Sequence, residues 1–272
     1  MFKLIALDID GTLKVPGERI STYTKSILRR CKDIGTILVI ASGRSRKSAD
    51  PVASELDIVD YVVSFQGALV TPFNSNQPVW SRVLDRNRLL DIMQSLRGWE
   101  VEIVAYVEDL ICVEKMTKWV RDYAKRNGVE IKLIPDLSSL ETDPYRVLAV
   151  GEEGDIEMLE REMDSKFGGY VYSTRSLPNY CEFLNPEAGK EKALDWICKK
   201  HRIKSEEVLA FGNGFNDVNM LKWSGLGVAI GDSEQIALDA ADDVALTAED
   251  DGVALYIDLL LERGRIGTVA NE

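Results

Sequence analysis

Asp8 and Asp10 stand two residues apart just past the apolar run that ends at Leu7. If that run is a strand, its period of two turns both side chains the same way, and two carboxylates converge. Like charges held close are costly unless a cation or a shared proton relieves them. Magnesium suits the pair, being a hard ion that takes carboxylate and carbonyl oxygens and keeps several waters for a phosphate. Alone, D-x-D-G reads equally as a turn, with Asp as a local cap and Gly11 at positive φ.

Three further segments bear on that choice. Ser42 and Gly43 follow a second apolar run, where a hydroxyl and free N–H groups at a helix start can cradle phosphate oxygens. Lys190 opens a predicted helix, and the loop Gly212-Asn213-Gly214-Phe215-Asn216-Asp217 follows another apolar run. A lone Lys is usually a solvated side chain, and G-N-G is usually a turn. Together the four segments place an anion receptor at one edge of one sheet, on the carboxyl side of its strands, where open parallel sheets bind ligands.

The elements that must position these groups follow from patterning. Lys3 to Leu7, Thr36 to Ala41 and Asp60 to Ser64 read as buried strands, separated by helical stretches. The first of these helices is capped by Ser21 and stopped by Gly35. This alternation implies a parallel sheet covered on both faces. After about Trp80 the grammar changes: Val101 to Val107 and Leu110 to Glu114 read as a hairpin around Glu108-Asp109. A helix ending at Asn127-Gly128, the strands IKLI and RVLAV, a helix stopped by Gly168-Gly169 and more strand near Tyr170 and Cys181 follow. From Lys190 the first grammar returns, with the strand VLAFG at Val208 to Gly212. The expected architecture is α/β: a Rossmann-like parallel-sheet core of residues 1–80 plus 185–272, and a smaller α/β cap inserted over 81–184.

Composition narrows the partners. The formal charge of −12 argues against a nucleic-acid surface, which needs clustered Lys and Arg. An anionic substrate then requires a local positive centre. No run approaches the ~20 apolar residues of a membrane span, and Met1 leads into no signal-peptide pattern. A cytoplasmic protein, as a monomer or homodimer, is expected. Four scattered cysteines and the single His201 are too few ligands for a Cys/His zinc site, so buried free thiols are expected.

In order and spacing, D-I-D-G-T, A-S-G-R, G-K-E-K-A-L, G-N-G-F-N-D-V-N-M-L and the late G-L-G-V-A-I-G, A-D-D-V and D-D-G-V-A segments resemble the haloacid dehalogenase superfamily. The nearest likeness is to its Cof-type, sugar-phosphatase-like branch, which inserts an α/β cap of this length. The resemblance implies a magnesium-dependent phosphatase of small phosphorylated metabolites. It would make Asp8 the nucleophile and Asp10 the acid and then the base. Thr12, Ser42, Gly43 and Asn216 would bind phosphate oxygens, and Lys190 would neutralise charge built in the transition state. Asp8, the carbonyl of Asp10, Asn213 and Asp217 would hold the metal. Apart from the resemblance, Arg44 is a further candidate for substrate binding, and in the cap Arg175 and Ser176 are candidates for leaving-group contacts, because the polar cluster S-T-R-S falls near the return to the core.

Two positions depart from the family pattern. Asn213 stands where Asp is usual, which predicts weaker magnesium binding without its loss. Gln66 in F-Q-G-A stands where relatives usually have Asn, and its longer amide can reshape the edge of the site. Gly225, Gly227 and Gly231 superficially resemble a dinucleotide loop, but they follow a helix and enter a strand, so close packing is the expected role. A phosphomutase would share the nucleophile. A receiver-like phospho-acceptor would also group acidic residues, a hydroxyl and a Lys, but is smaller, capless and phosphorylated after a middle strand.

Overall fold

The computed structural model describes residues 1–267. The chain first lays down β1 (Leu4–Leu7), α1 (Thr22–Asp33), β2 (Ile37–Ala41), α2 (Arg46–Leu56) and β3 (Tyr61–Ser64). All three strands are buried throughout, as parallel strands covered on both faces must be. α1 starts where the Ser21 hydroxyl accepts the Thr24 N–H at 2.9 Å, and Gly35, at φ +85°, turns the chain away at its end. A 3₁₀ turn at Phe65–Gly67 then leads into β4 (Leu69–Pro72) and β5 (Trp80–Ser81), which pair antiparallel. These two short strands are not evident from the sequence.

An inserted unit follows: α3 (Arg86–Leu96), β6 (Glu102–Val107), β7 (Leu110–Val113), α4 (Lys118–Asn127), β8 (Glu130–Leu133), β9 (Arg146–Val150), α5 (Glu153–Phe167), β10 (Tyr172–Leu177) and β11 (Tyr180–Leu184). Its six strands lie in the order β10-β11-β9-β6-β7-β8. The β6–β7 hairpin turns on Glu108 at φ +52°, so Glu108-Asp109 forms the turn although Glu-Asp is not a favoured turn pair. The chain then returns through α6 (Lys190–Lys200), β12 (Val208–Gly212), α7 (Val218–Trp223), β13 (Leu226–Ile230), α8 (Gln235–Ala240), β14 (Asp243–Ala245) and α9 (Gly252–Glu262).

The first sheet has eight strands in the order β14-β13-β12-β1-β2-β3-β4-β5. β1 pairs with both β2 and β12 in parallel. Early strands therefore spread to one side of β1 and late strands to the other, and the carboxyl ends of β1, β2, β3 and β12 open on one crevice at that reversal. Period-two alternation serves both faces: Ile5, Leu7, Ile40 and Phe211 pack with residues of α1, α2 and α9. Leu4, Ala6, Val39 and Ala210 meet Ala193, Leu194 and Ile197 of α6.

The six-stranded sheet turns one face to α3 and α5. Its other face joins Tyr106, Leu148 and Leu184 to α4 and also to Phe65 and Leu69 of the first unit. Phe65 stacks on Tyr145 at 5.0 Å and meets the Tyr106 ring edge-on at 5.3 Å. One apolar cluster thus seats the inserted unit on the loop after β3, next to the crevice.

A Cβ on Gly225 or Gly227 would overlap the carbonyl of Glu206 or Leu221, so these glycines serve close packing around β13, as expected from their context. All four cysteines are buried and free. No helix among the described residues is long and apolar enough to cross a membrane.

Gly67 combines φ +95° with a position where an added Cβ would overlap the Gly189 backbone. Gly67→Ala should therefore lower stability by roughly 2 kcal/mol or more. Gly17→Ala is the control, because its φ is also positive (+87°) but nothing lies within 4 Å; it should cost only the ~1 kcal/mol of the left-handed backbone. Thermal unfolding compares them, and equal losses would show that the approach to Gly189 does not constrain the fold.

Candidate active site

Asp8 is the residue after β1, and Lys190 is the first residue of α6, which the fold brings to it from the far side of the insertion. The Lys190 ammonium donates to Asp8 Oδ1 at 2.7 Å and to Asp217 Oδ1 at 2.6 Å. Asp217 Oδ2 accepts the N–H groups of Asn213 at 2.9 Å and Gly214 at 3.0 Å, which folds the loop after β12 around the carboxylate. Asp8, Lys190 and Asp217 are 6%, 1% and 0% exposed, so water screens little of this charge.

Two carboxylates face one ammonium, and the imbalance shows in the ionisation of Asp8. Burial raises its pKa to about 7; Lys190 opposes the rise, whereas Asp217 and Asp10 add to it. Burial acts to lower Lys190, but Asp217 and Asp8 outweigh it and hold the ammonium above its usual range. Lys190 is accordingly a permanent cation.

Asp10 lies just beyond the strand, close enough for its charge to act on Asp8. The chain leaves the strand at Asp8 and turns at Gly11, φ +76°, and the Asp10 carboxylate takes a two-pronged contact from Arg44, Nε at 2.7 Å and Nη2 at 2.6 Å. Arg44 Nη1 also donates to the Ser48 carbonyl at 3.1 Å. The hydrogen bonds that Arg44 donates to Asp10, more than the charge of Asp10 alone, push the Arg44 guanidinium above its ordinary value. The Asp8 and Asp10 carboxylates are near neighbours with separate cations.

Around this pair lie the predicted anion ligands. The Thr12 hydroxyl is buried with no partner, an arrangement that native structures seldom leave without a ligand or water. Ser42 is buried, and its Oγ accepts the Arg44 N–H at 3.2 Å. A Cβ on Gly43 would overlap the Gln66 amide. Asn216 Nδ2 donates to Gln66 Oε1 at 2.9 Å. Phe65 and Gln66 are consecutive non-glycine residues at φ +49° and +55°, a strain that clusters at functional sites. Their N–H groups bond the carbonyls of Arg44 at 2.9 Å and Ser42 at 3.2 Å.

The donor set suits a hard divalent cation. The Asp8 carboxylate, the Asp10 carbonyl and the Asn213 amide all offer oxygen. Asn213 packs so closely on Gly11 that a Cβ there would overlap it. Among the described residues no three acidic, His or Cys side chains form a ligand cluster, and both Asp217 oxygens already accept hydrogen bonds. A cation here would depend on the Asp8 carboxylate, on backbone and amide oxygens and on water, which magnesium tolerates.

In the inserted unit, Arg175 pairs with Glu160 at 2.8 Å and its guanidinium lies 4.2 Å from the Phe215 ring centroid, at the seam between the two units. The Ser176 hydroxyl donates to Glu182. Two further residues at the seam, Arg146 and Glu182, form a buried ion pair that sequence reasoning did not single out. The available signal was one charged residue at an inward position of each apolar strand, R-V-L-A-V and Y-C-E-F-L.

The profile of the haloacid dehalogenase-like hydrolase family matches residues 5–257. The 5-amino-6-(5-phospho-D-ribitylamino)uracil phosphatase YitU of Bacillus subtilis is 27% identical, covering 93% of this chain and 96% of its own length. A solved haloacid dehalogenase-like hydrolase from Bacteroides thetaiotaomicron is 29% identical, with a TM-score of 0.80 over 96% of this chain and 100% of its own. The sugar phosphatase BT4131, of the family's subclass IIB, shares the fold at a TM-score of 0.82 and 20% identity, over 97% of this chain and 100% of its own.

The ionisation of Asp8 has a measurable consequence. Its folded pKa of about 7 lies above the ordinary 3.8, so the folded state holds a proton that the unfolded state releases between those values. Stability contributed by this group is therefore present at low pH and lost as pH rises from about 4 to about 7. In metal-free buffer, Asp8→Asn should unfold at a higher temperature than the parent at pH 8, with the gap closing toward pH 4. A gap that widens on acidification would refute the assignment.

Proposed function

Because this chain belongs to the haloacid dehalogenase-like hydrolases and is a phosphatase, we propose that it hydrolyses a small phosphorylated metabolite, such as a sugar phosphate or phosphoglycolate, through a phosphoryl group carried on Asp8. The observation that carries this reading is the buried Lys190 bridge between Asp8 and Asp217. It puts a fixed cation beside a carboxylate at the carboxyl end of a central strand, as phosphoryl transfer requires. A relative named for a phosphorylated ribitylaminouracil and a fold neighbour named as a sugar phosphatase support a small phosphomonoester.

In this mechanism a carboxylate oxygen of Asp8 attacks phosphorus, and the bond from phosphorus to the leaving oxygen breaks as Asp10 supplies its proton. Asp10 then takes a proton from water, whose oxygen attacks the aspartyl-phosphate; the bond to Asp8 breaks and inorganic phosphate departs. Arg44 restricts the Asp10 carboxyl to one orientation beside the leaving group. The Thr12 and Ser42 hydroxyls, the Gly43 N–H and Asn216 hold the phosphoryl oxygens, and Lys190 offsets their growing charge. Asp8, the Asp10 carbonyl and Asn213 would hold magnesium, with Asp217 contributing its charge from across Lys190, and the ion when bound supplies further neutralisation of phosphoryl charge.

Residues 81–184 act in this reading as a cap that excludes water from the leaving-group side, with Arg175 and Ser176 at its contact edge. A cytoplasmic setting and a monomer or homodimer belong to the same reading.

A phosphate-release screen over sugar phosphates, phosphoglycolate, nucleotides and pyridoxal phosphate, with and without magnesium, tests it. At least one substrate should turn over with magnesium, and Asp8→Asn should lower kcat by about 10⁴-fold or more; an Asp8→Asn variant with parental activity would sink the mechanism. Asn213→Asp adds one negative charge facing the cation and should lower the magnesium concentration for half-maximal activity. An unchanged requirement would remove Asn213 from the metal's surroundings.

A further inference from the structure

A hydrogen-bonded circuit leaves the phosphate site, crosses the inserted unit and returns. It starts at Asn216 in the loop after β12, whose amide donates to Gln66 Oε1 at 2.9 Å. Gln66, in the turn after β3, passes it on from Nε2 to Glu182 Oε1 of β11 at 3.1 Å. Glu182 pairs with Arg146 of β9. Arg146 Nη1 then donates to the carbonyl of Gly43, in the loop after β2, at 2.8 Å. The circuit closes on itself, because the Gln66 amide lies directly over Gly43.

We infer that Gln66, Glu182 and Arg146 are positioning residues, through which the seated insertion holds the loops of Ser42–Gly43 and Asn216 in register for phosphoryl transfer; this rests on the phosphatase reading. The alternatives fit less well. Glu182 already accepts from Gln66, Ser176 and Arg146 and is 1% exposed, so it has little left to offer a substrate. A purely structural ion pair at this depth is usually no better than well-packed apolar side chains, and nothing in packing alone calls for its ends to attach to two phosphate loops. Arg146 is also fixed laterally: its guanidinium lies 4.5 Å from the Tyr106 ring centroid and 5.6 Å from that of Phe65. The left-handed backbone of Phe65 and Gln66 is the local strain that this seating sustains.

The consequence is that the phosphate site is complete only while the insertion is docked. A specificity role would appear in the leaving group; a positioning role must appear even with a leaving group that ignores the cap. The probes are therefore p-nitrophenyl phosphate as substrate and inorganic phosphate as ligand, with magnesium present. Two variants are needed. Gln66→Met keeps length and volume but breaks both amide links. The double variant Glu182→Met with Arg146→Met removes both charges together, so neither is left buried and unpaired.

Both variants should unfold within a few degrees of the parent, lose about 10²-fold in kcat and bind inorganic phosphate about tenfold more weakly by calorimetry. A kcat and phosphate affinity within twofold of the parent would overturn the inference. So would a loss confined to KM, which would make these residues substrate contacts. If the double variant does not fold, Gln66→Met alone decides. The parent and Asp8→Asn run in the same assay: a parent that releases phosphate neither from p-nitrophenyl phosphate nor from any member of the metabolite screen would defeat the phosphatase reading, while phosphate binding by the variants would still test the circuit.

Discussion

One ammonium group holds this site together. Lys190 lies between Asp8 and Asp217, at 2.7 and 2.6 Å, with almost no exposure to water. Its two partners reach it from β1 and from the loop after β12, adjacent strands separated by most of the chain. A buried charge without a partner costs about 3–5 kcal/mol, so the insertion can lie between these segments only if the fold returns Lys190 to the same point. The Gly67–Gly189 approach and the packing of α6 against β1, β2 and β12 make that return.

The same bridge leaves a deficit. Burial pushes Asp8 to about 7, with Asp217 and Asp10 adding to the rise and Lys190 opposing it, while the hydrogen bonds of Arg44 go to Asp10. The remaining negative charge, beside the buried Thr12 hydroxyl that has no partner, would favour a divalent cation and an anion entering together in the proposed reaction. In the proposed mechanism Lys190 would serve stability and chemistry through the same contacts.

Much of this was legible in the residues. The apolar runs before Asp8, Ser42 and Asn213 are strands because parallel strands are buried on both faces, and the reactive groups fall at their ends because the chain must turn there. Ser21, Gly35 and Gly128 mark helix ends through local backbone chemistry that needs no tertiary information. α3 was also within reach, since Leu89, Ile92, Met93 and Leu96 recur at helical spacing. β4 and β5 were not, being four and two residues long and defined by pairing alone. Within the site, the Asp10–Arg44 contact joins the segments after β1 and β2, a pairing that the D-x-D spacing alone does not disclose. Arg146 and Glu182 become partners through the register of β9 on β11, which a lone charged residue in an apolar strand does not disclose.

The most direct test is to look for the phosphoryl group itself. Protein mixed with magnesium and a turned-over phosphomonoester, quenched in acid within milliseconds and digested, should yield the peptide containing Asp8 with one added phosphoryl group, absent from the Asp8→Asn protein. Phosphate released at full rate while that peptide stays unmodified, or a phosphoryl group found on another residue, would contradict the assignment of Asp8 as the acceptor.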